Sequence, residues 1–117
     1  MGSIGIILRR PPYGTVDASE AVRHALGGVT EDMDVRLILV DGGVNAARRN
    51  QDTSGTEYMN TGEGIRDCIE MGVGVYADKI SLKESHIDPE ELEEGVTVAS
   101  SHEIAELVRE SDTIMIF

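Results

Sequence analysis

Short apolar runs alternate along the chain with segments whose apolar residues recur at helical spacing. The runs are rich in Val and Ile, which predicts strands, and the spacing between them predicts amphipathic helices. Because these runs are apolar at nearly every position, both faces of the sheet should be buried, as in parallel sheets. The pattern predicts a three-layer α/β/α sandwich around a five-stranded, mainly parallel sheet, with the flavodoxin-like strand order 2-1-3-4-5. The predicted strands are 3–8, 35–40, 73–77, 95–100 and 112–117.

Helix-start signals support the predicted helices between these strands. Asp17 with Glu20, and Ser100 with Glu103, have the spacing of a capping box. Asn60 is positioned to cap a further helix. The first helix is expected to end at a Gly-Gly pair. The predicted helical segments are 17–28, a short helix within 41–49, 61–71, 79–87, a turn starting at Asp88-Pro89, and 101–110.

The length of 117 residues fits one domain, and we assign residues 1–117 to it. Cys68 is the one cysteine, so an intrachain disulfide is excluded and a reducing compartment is favoured. The chain shows no signal-peptide pattern and no apolar stretch near the roughly 18 residues that a membrane span needs. These features predict a cytoplasmic protein that does not contact a membrane.

The net charge of −12 narrows the classes of partner and cofactor. Such an acidic protein repels a nucleic-acid backbone, so we expect no direct nucleic-acid partner. Three tyrosines and one phenylalanine offer little stacking surface, and no dinucleotide fingerprint follows a strand, so no cofactor is expected. His24, His86 and His102 lack ligand spacing, so no metal site is expected either.

The loop after the first predicted strand, within "LRRPPYGTVDASEAV", is the most distinctive stretch. Ligands of open α/β sheets bind beyond the carboxyl ends of the strands, where the strand order reverses. In the order 2-1-3-4-5, Tyr13, Gly14 and Thr15 would meet Asp78 and Lys79 from the loop after the third strand. These five residues form the predicted mouth of a binding site. Gly14 would let the backbone approach a ligand, and Thr15 with nearby helix amides would hold an anion. The alternative is a tight strand-to-helix turn without a ligand.

Cys68 is the one candidate nucleophilic thiol. A reactive thiolate needs a helix N-terminus or a cationic neighbour. Cys68 lies within a predicted helix, on the same face as Ile65 and Ile69, so a buried structural cysteine is favoured. A catalytic, sulfur-carrying Cys68 is the alternative.

Four segments, in this order, resemble the DsrE/DsrF-like family, which includes TusC- and TusD-type sulfur-relay subunits. They are "PPYGTVDASEAV", "VDGGVNAA", "YADKISLKESHID" and "ELVRESDTIMIF", and the resemblance spans essentially the whole chain. It implies small α/β subunits that assemble into trimers or hexamers, alone or with related subunits. It also implies a cysteine at the mouth of the third strand that carries sulfur as a persulfide. This chain has Ala77 or Asp78 at that position, and neither is a thiol.

The resemblance therefore implies a DsrE/DsrF-like subunit of an intracellular sulfur-transfer system, a persulfide relay, without the usual catalytic cysteine. Such a chain would act as a structural or partner subunit, in a homo-oligomer or in a hetero-oligomer with related DsrE-like subunits. A sulfur-carrier protein is a further partner. Two alternatives stay open: an active sulfurtransferase that uses Cys68, and a small-anion-binding α/β module. Any enzymatic activity would be sulfurtransferase-like.

Overall fold

A computed structural model describes residues 2–117 of the chain. The strands are β1 (Ser3–Leu8), β2 (Asp34–Leu39), β3 (Gly74–Asp78), β4 (Thr97–Ala99) and β5 (Thr113–Ile116). The helices are α1 (Asp17–Thr30), α2 (Thr61–Glu70), α3 (Lys79–Glu84) and α4 (Ser101–Glu110), with short 3₁₀ helices at Asp41–Ala47 and Pro89–Glu91. None of the helices in residues 2–117 is long and apolar enough to cross a membrane.

The five strands form one sheet in which every neighbouring pair is parallel. The predicted fold class, an α/β sandwich around a five-stranded parallel sheet, is thus confirmed. The strand order is β4-β3-β2-β1-β5 rather than the expected 2-1-3-4-5. Apolar runs show that strands are buried but do not specify their neighbours, and each of the first three crossovers here moves one strand in the same direction. As a result β2 lies between β1 and β3, which the expected order made adjacent.

The helices are distributed unequally over the two faces of the sheet. An added Cβ at Gly28 of α1 would lie 2.7 Å from Cγ2 of Val35, so α1 packs on the face that Val35 presents. The next residue, Arg36, donates to the carbonyl of Leu107 in α4 at 3.4 Å. Successive residues of a strand face opposite sides, so α1 and α4 cover opposite faces. The first three crossovers place α1, α2 and α3 on one face, and the reversal to β5 leaves α4 on the other.

The main core lies between the sheet and the layer of α1, α2 and α3. It is built from aliphatic side chains; fully buried examples are Ile6, Leu8, Leu37, Leu39 and Ile65. The opposite layer is thinner, because α4 has no buried residue. One face of the sheet is therefore well covered and the other only partly.

Two of the predicted helix caps are confirmed. The side chain of Asn60 accepts from the Glu63 amide at 3.1 Å. Ser100 accepts from the Glu103 amide at 3.2 Å, and the Glu103 carboxylate accepts from the Ser100 amide at 3.0 Å, which completes a capping box.

The predicted first residue of α1, Asp17, is confirmed, whereas its predicted capping box and its predicted C-terminal end are wrong. Val16 holds the cap position without a side-chain hydrogen bond, and Asp17 lies inside the first turn, where it pairs with Arg10 at 3.2 Å. The helix also continues through its Gly-Gly pair to Thr30. Gly28 is retained there because it packs closely on β2, and this tertiary contact overrides the local signal to end the helix.

Candidate functional site

The loop after β1 is fixed to the loop after β2 by the side chain of Gln51. The Tyr13 hydroxyl donates to Oε1 of Gln51, and the Thr61 hydroxyl donates to the same oxygen at 2.9 Å. The Gln51 amide nitrogen donates to the carbonyls of Ala46 at 3.0 Å and Arg48 at 2.8 Å. Both ends of the amide are thus satisfied, which fixes its orientation. Sequence reasoning missed Gln51, because nothing in a polar loop indicates that one amide joins three segments.

Tyr13 also contacts a second aromatic residue. Its ring meets that of Tyr58 edge to face, with the centroids 5.6 Å apart, an arrangement favoured by the ring quadrupoles. Tyr58 is 47% exposed, so this pair stands at the surface beside the loop after β1. Tyr13 therefore has a structural role here, whatever ligand the loop receives.

Gly14 and Thr15 complete the turn into α1. Gly14 has a φ of 97°, in the left-handed region that glycine adopts readily, and nothing lies within 4 Å of an added Cβ. The turn thus needs this glycine for its backbone conformation, and the expected approach of the backbone to a ligand stays a prediction. The Thr15 hydroxyl oxygen accepts from the Asp17 amide at 3.3 Å. Asp17 itself places a carboxylate in the first turn of α1.

A groove runs between the loops after β1 and β2. It measures about 560 Å³ and is lined by Pro11, Pro12, Tyr13, Asn45, Arg48, Arg49, Asn50, Gln51 and Asp52. The Arg48 guanidinium lies 3.7 Å from the Glu91 carboxylate, and that of Arg49 donates to the Glu90 carbonyl. Both arginines are therefore engaged by acidic or carbonyl oxygens, which lowers their capacity to attract an anion into this groove.

Asp78 ends β3 and caps the short helix that follows. Its carboxylate accepts from the Ser81 amide at 3.1 Å and from the Ser81 hydroxyl at 2.6 Å. The Ser81 hydroxyl oxygen in turn accepts from the Asp41 amide at 2.8 Å. Of the two positions that the family resemblance offers for a relay cysteine, Asp78 is thus a half-buried carboxylate and Ala77 is fully buried. That carboxylate holds α3 and, through Ser81, the loop after β2.

The structure divides the five residues of the predicted site mouth into two groups. Tyr13, Gly14 and Thr15 lie in the loop after β1, and Asp78 and Lys79 lie where β3 meets α3. Lys79 lines a different groove beside β4. The predicted meeting of Tyr13 with Asp78 required β1 next to β3, and β2 separates these strands. The physical reason is the strand order: the loop after β2 contacts both segments and takes the place of a direct contact between them.

Cys68 lies on the inner face of α2 and is fully buried. Burial raises the pKa of its thiol to about 11, and the neighbouring charge of Asp67 adds to the increase. Both effects disfavour the thiolate, which is the nucleophilic form. In residues 2–117 no group of three or more His, Cys, Asp or Glu side chains is arranged to hold a metal ion.

Solved structures share this fold over all or most of the chain. The crystal structure of the YchN protein from E. coli superposes with a TM-score of 0.90 at 24% identity, covering 100% of both chains. A protein of unknown function, MTH1491 from Methanobacterium thermoautotrophicum, superposes with a TM-score of 0.68 at 20% identity, covering 93% of this chain and 90% of that one. At these identities the likeness shows the fold alone.

Sequence comparison gives the family. The uncharacterized protein MK0008 of Methanopyrus kandleri is 32% identical over 114 residues, covering 97% of this chain and 93% of that protein. The intracellular sulfur oxidation protein DsrF of Allochromatium vinosum is 32% identical over 124 residues, covering 93% of this chain and 91% of that protein. A model of the DsrE/DsrF-like family matches residues 2–117. The chain therefore belongs to the DsrE/DsrF-like family.

Proposed function

We propose that this chain is a subunit of an intracellular sulfur-transfer system and that it acts as a structural or partner subunit without a relay cysteine of its own. Family membership and the similarity to a DsrF protein named for sulfur oxidation support the sulfur-related role. The observation that carries the second part is the residue at the carboxyl end of β3, which is Asp78 and not a thiol.

The chemistry of persulfide transfer weighs against a carrier role for Asp78. A relay thiolate attacks a donor persulfide and then presents the outer sulfur to an acceptor, so the residue must be a cysteine. A carboxylate has no sulfur to form that bond. Because Asp78 also caps α3 and accepts from Ser81, its position serves the fold of this loop.

The first alternative, a persulfide on Cys68, receives no support from the geometry. Transfer needs a thiolate that a donor protein can reach. Cys68 is fully buried, and its pKa of about 11 leaves little thiolate near neutral pH. The second alternative, an anion site at Gly14 and Thr15, receives no support either, because the Thr15 hydroxyl oxygen accepts from the Asp17 amide and Arg10 is already paired with the Asp17 carboxylate.

A partly covered sheet face supports assembly with other subunits. On the side of α4 the side chain of Ile116 is 60% exposed, and no residue of α4 is buried. Ile116 is exposed and the other apolar side chains on this side are half-buried, and apolar side chains left accessible on one face are a feature of protein–protein interfaces. We call this surface the α4 face; its apolar residues are Ile7, Ile104, Leu107, Val108, Ile114 and Ile116. We propose that copies of this chain, or related DsrE-like subunits, pack on the α4 face.

Sulfur loading of the folded protein tests the carrier part of the proposal. Polysulfide is offered to the wild type and to an Asp78→Cys variant on a Cys68→Ala background, and intact mass spectrometry counts added sulfur atoms. The wild type should gain none, and the variant should gain one, because it presents a thiol at the carboxyl end of β3. If Cys68 of the folded wild type gains a sulfur atom, the proposal that this chain lacks a sulfur-carrying cysteine is refuted.

Light scattering after size exclusion tests the assembly part. The wild type, alone or co-expressed with a cysteine-bearing paralogue, should elute as an oligomer. Ile116→Asp should dissociate it, because a charge buried at an apolar interface is costly. Met71→Asp is the matched control, since Met71 is 49% exposed and lies in the turn between α2 and β3. A wild type that remains a monomer under both conditions contradicts the proposal.

A further inference from the structure

A second groove lies beside β4, on the side of the sheet that α3 covers. It measures about 460 Å³. Leu82 and Ile87 are buried beneath it, and Val98 is partly buried. We call it the lysine groove; its lining residues are Lys79, Leu82, Lys83, His86, Ile87, Asp88, Pro89 and Val98.

The lining of the lysine groove carries two lysines and a single carboxylate, Asp88, in an otherwise acidic protein. Lys79 and Lys83 are the two lysines of the chain, which carries 22 acidic residues and a net charge of −12. Both line this groove, one helical turn apart on α3. Within residues 2–117 neither lysine lies within ion-pair distance of a carboxylate, whereas six of the eight arginines do. Their charges are therefore available to a ligand.

The stability of α3 does not explain the position of Lys79. Lys79 is the first residue of the helix, where the helix dipole disfavours a positive charge. Lys83, in the last turn, is favoured by the same dipole. Lys79 thus stands at the less favourable end of α3 while lining the groove with Lys83, which indicates a role outside the helix.

His86 supplies an independent observation. The amide of His86 donates to the Lys83 carbonyl at 3.1 Å, and the amide of Ile87 donates to the Leu82 carbonyl at 2.9 Å. These two bonds form a Schellman motif, in which the residue at the position of His86 is usually glycine. His86 adopts the left-handed conformation with a φ of 56°, which a side chain makes less favourable. The chain thus keeps an imidazole at the rim of the groove although glycine would end the helix more easily.

We propose that the lysine groove binds a small organic anion, that is, a carboxylate, sulfonate or phosphate group attached to an apolar body. The apolar body would lie on Leu82, Ile87 and Val98, and the anionic group would face the two lysines and His86. The volume of about 460 Å³ is within the range of small-molecule sites, and an apolar lining with a few polar groups is typical of them. This proposal does not depend on the sulfur-related role, because it uses no residue assigned to sulfur transfer.

The test compares two probes that differ by one anionic group. The probes are 8-anilino-1-naphthalenesulfonate and N-phenyl-1-naphthylamine, which has the same rings without the sulfonate; both fluoresce on binding an apolar site. The variants are Lys79→Gln/Lys83→Gln and His86→Gly, with Arg109→Gln as a control for loss of one exposed charge on α4.

The double lysine variant should bind the sulfonate about tenfold more weakly, with affinity for the uncharged probe unchanged. His86→Gly should weaken sulfonate binding while the melting temperature stays equal or rises, since glycine suits the left-handed position. In two-dimensional NMR the sulfonate should shift the amide signals of Leu82 and Val98. Equal affinity of the wild type and the double variant, or signal shifts confined to α4 and β5, would overturn the proposal. The melting curves show whether each variant is folded, so that a loss of sulfonate binding can be assigned to the groove and not to unfolding.

Discussion

The buried thiol of Cys68 gives a quantitative prediction about reactivity. In an unfolded chain its pKa would be near 9.0, and in the folded protein burial raises it to about 11. At pH 8 the thiolate fraction falls from about 10% to about 0.1%, which is a factor of about 100. Because Cys68 is also fully buried, a reagent must wait for local opening. Labelling of the folded protein should therefore be at least about 100-fold slower than labelling of the unfolded chain.

The assay is absorbance-monitored reaction with an aromatic disulfide at pH 8, in buffer and in denaturant. Asp78→Cys on a Cys68→Ala background is the reference for an accessible thiol in the same fold. It should react rapidly in buffer. Folded wild type that reacts within about tenfold of the unfolded chain would refute the argument, because neither burial nor the raised pKa would then protect Cys68.

The same pKa shift makes stability depend on alkaline pH. The folded protein binds the Cys68 proton more tightly than the unfolded chain, so this contribution is present in full below about pH 9. It is lost as the pH rises through about 11, and the loss should reach about 2–3 kcal/mol of unfolding free energy. Urea unfolding of wild type and Cys68→Ala at pH 8 and pH 10.5 separates the contribution of the Cys68 thiol to the unfolding free energy from the titration of other groups. Parallel declines in the two proteins would contradict the prediction.

Two further predictions concern the loops at the carboxyl end of the sheet. Gly43→Ala should lower the unfolding free energy by about 3 kcal/mol or more, because the new Cβ would lie 2.1 Å from the Leu8 carbonyl oxygen, which belongs to a strand paired on both sides. In the control, Gly27→Ala in α1, the new Cβ meets no atom within 4 Å, so the unfolding free energy should rise by about 0.5–1 kcal/mol. Equal unfolding free energies of the two glycine variants in urea would contradict the close contact at Gly43. Tyr13→Phe should cost about 1 kcal/mol in the same assay, since it removes the hydrogen bond to Gln51, and no loss would show that this bond does not join the loops.

Part of the candidate site could be predicted from the sequence, and the reasons are local. The caps at Asn60 and Ser100 follow from side-chain and backbone groups three residues apart. The burial of Cys68 follows from its position on the face of α2 that carries Ile65. The capping box at the start of α1 was wrong because Val16 holds the cap position and Asp17 lies inside the first turn, where it pairs with Arg10.

The position of a loop relative to another loop could not be predicted in the same way. The groups that join the loops after β1 and β2 are Tyr13, Gln51 and Thr61, which are separated by up to 48 residues. Their hydrogen bonds exist only once the two loops are neighbours. The same holds for the lysine groove, where α3 and β4 come together around Val98.

The sequence by itself determined the α/β class, the number and approximate limits of the strands, and the absence of a thiol at the end of β3. These properties depend on hydrophobic periodicity, on capping and on residue identity, all of which act within a few residues along the chain. Only the tertiary structure decided the order of the strands, and with it that Tyr13 meets Gln51 rather than Asp78. Parallel strands of similar apolar composition pair about equally well with several neighbours, so their order is set by how the helices pack across the whole sheet and not by any single segment.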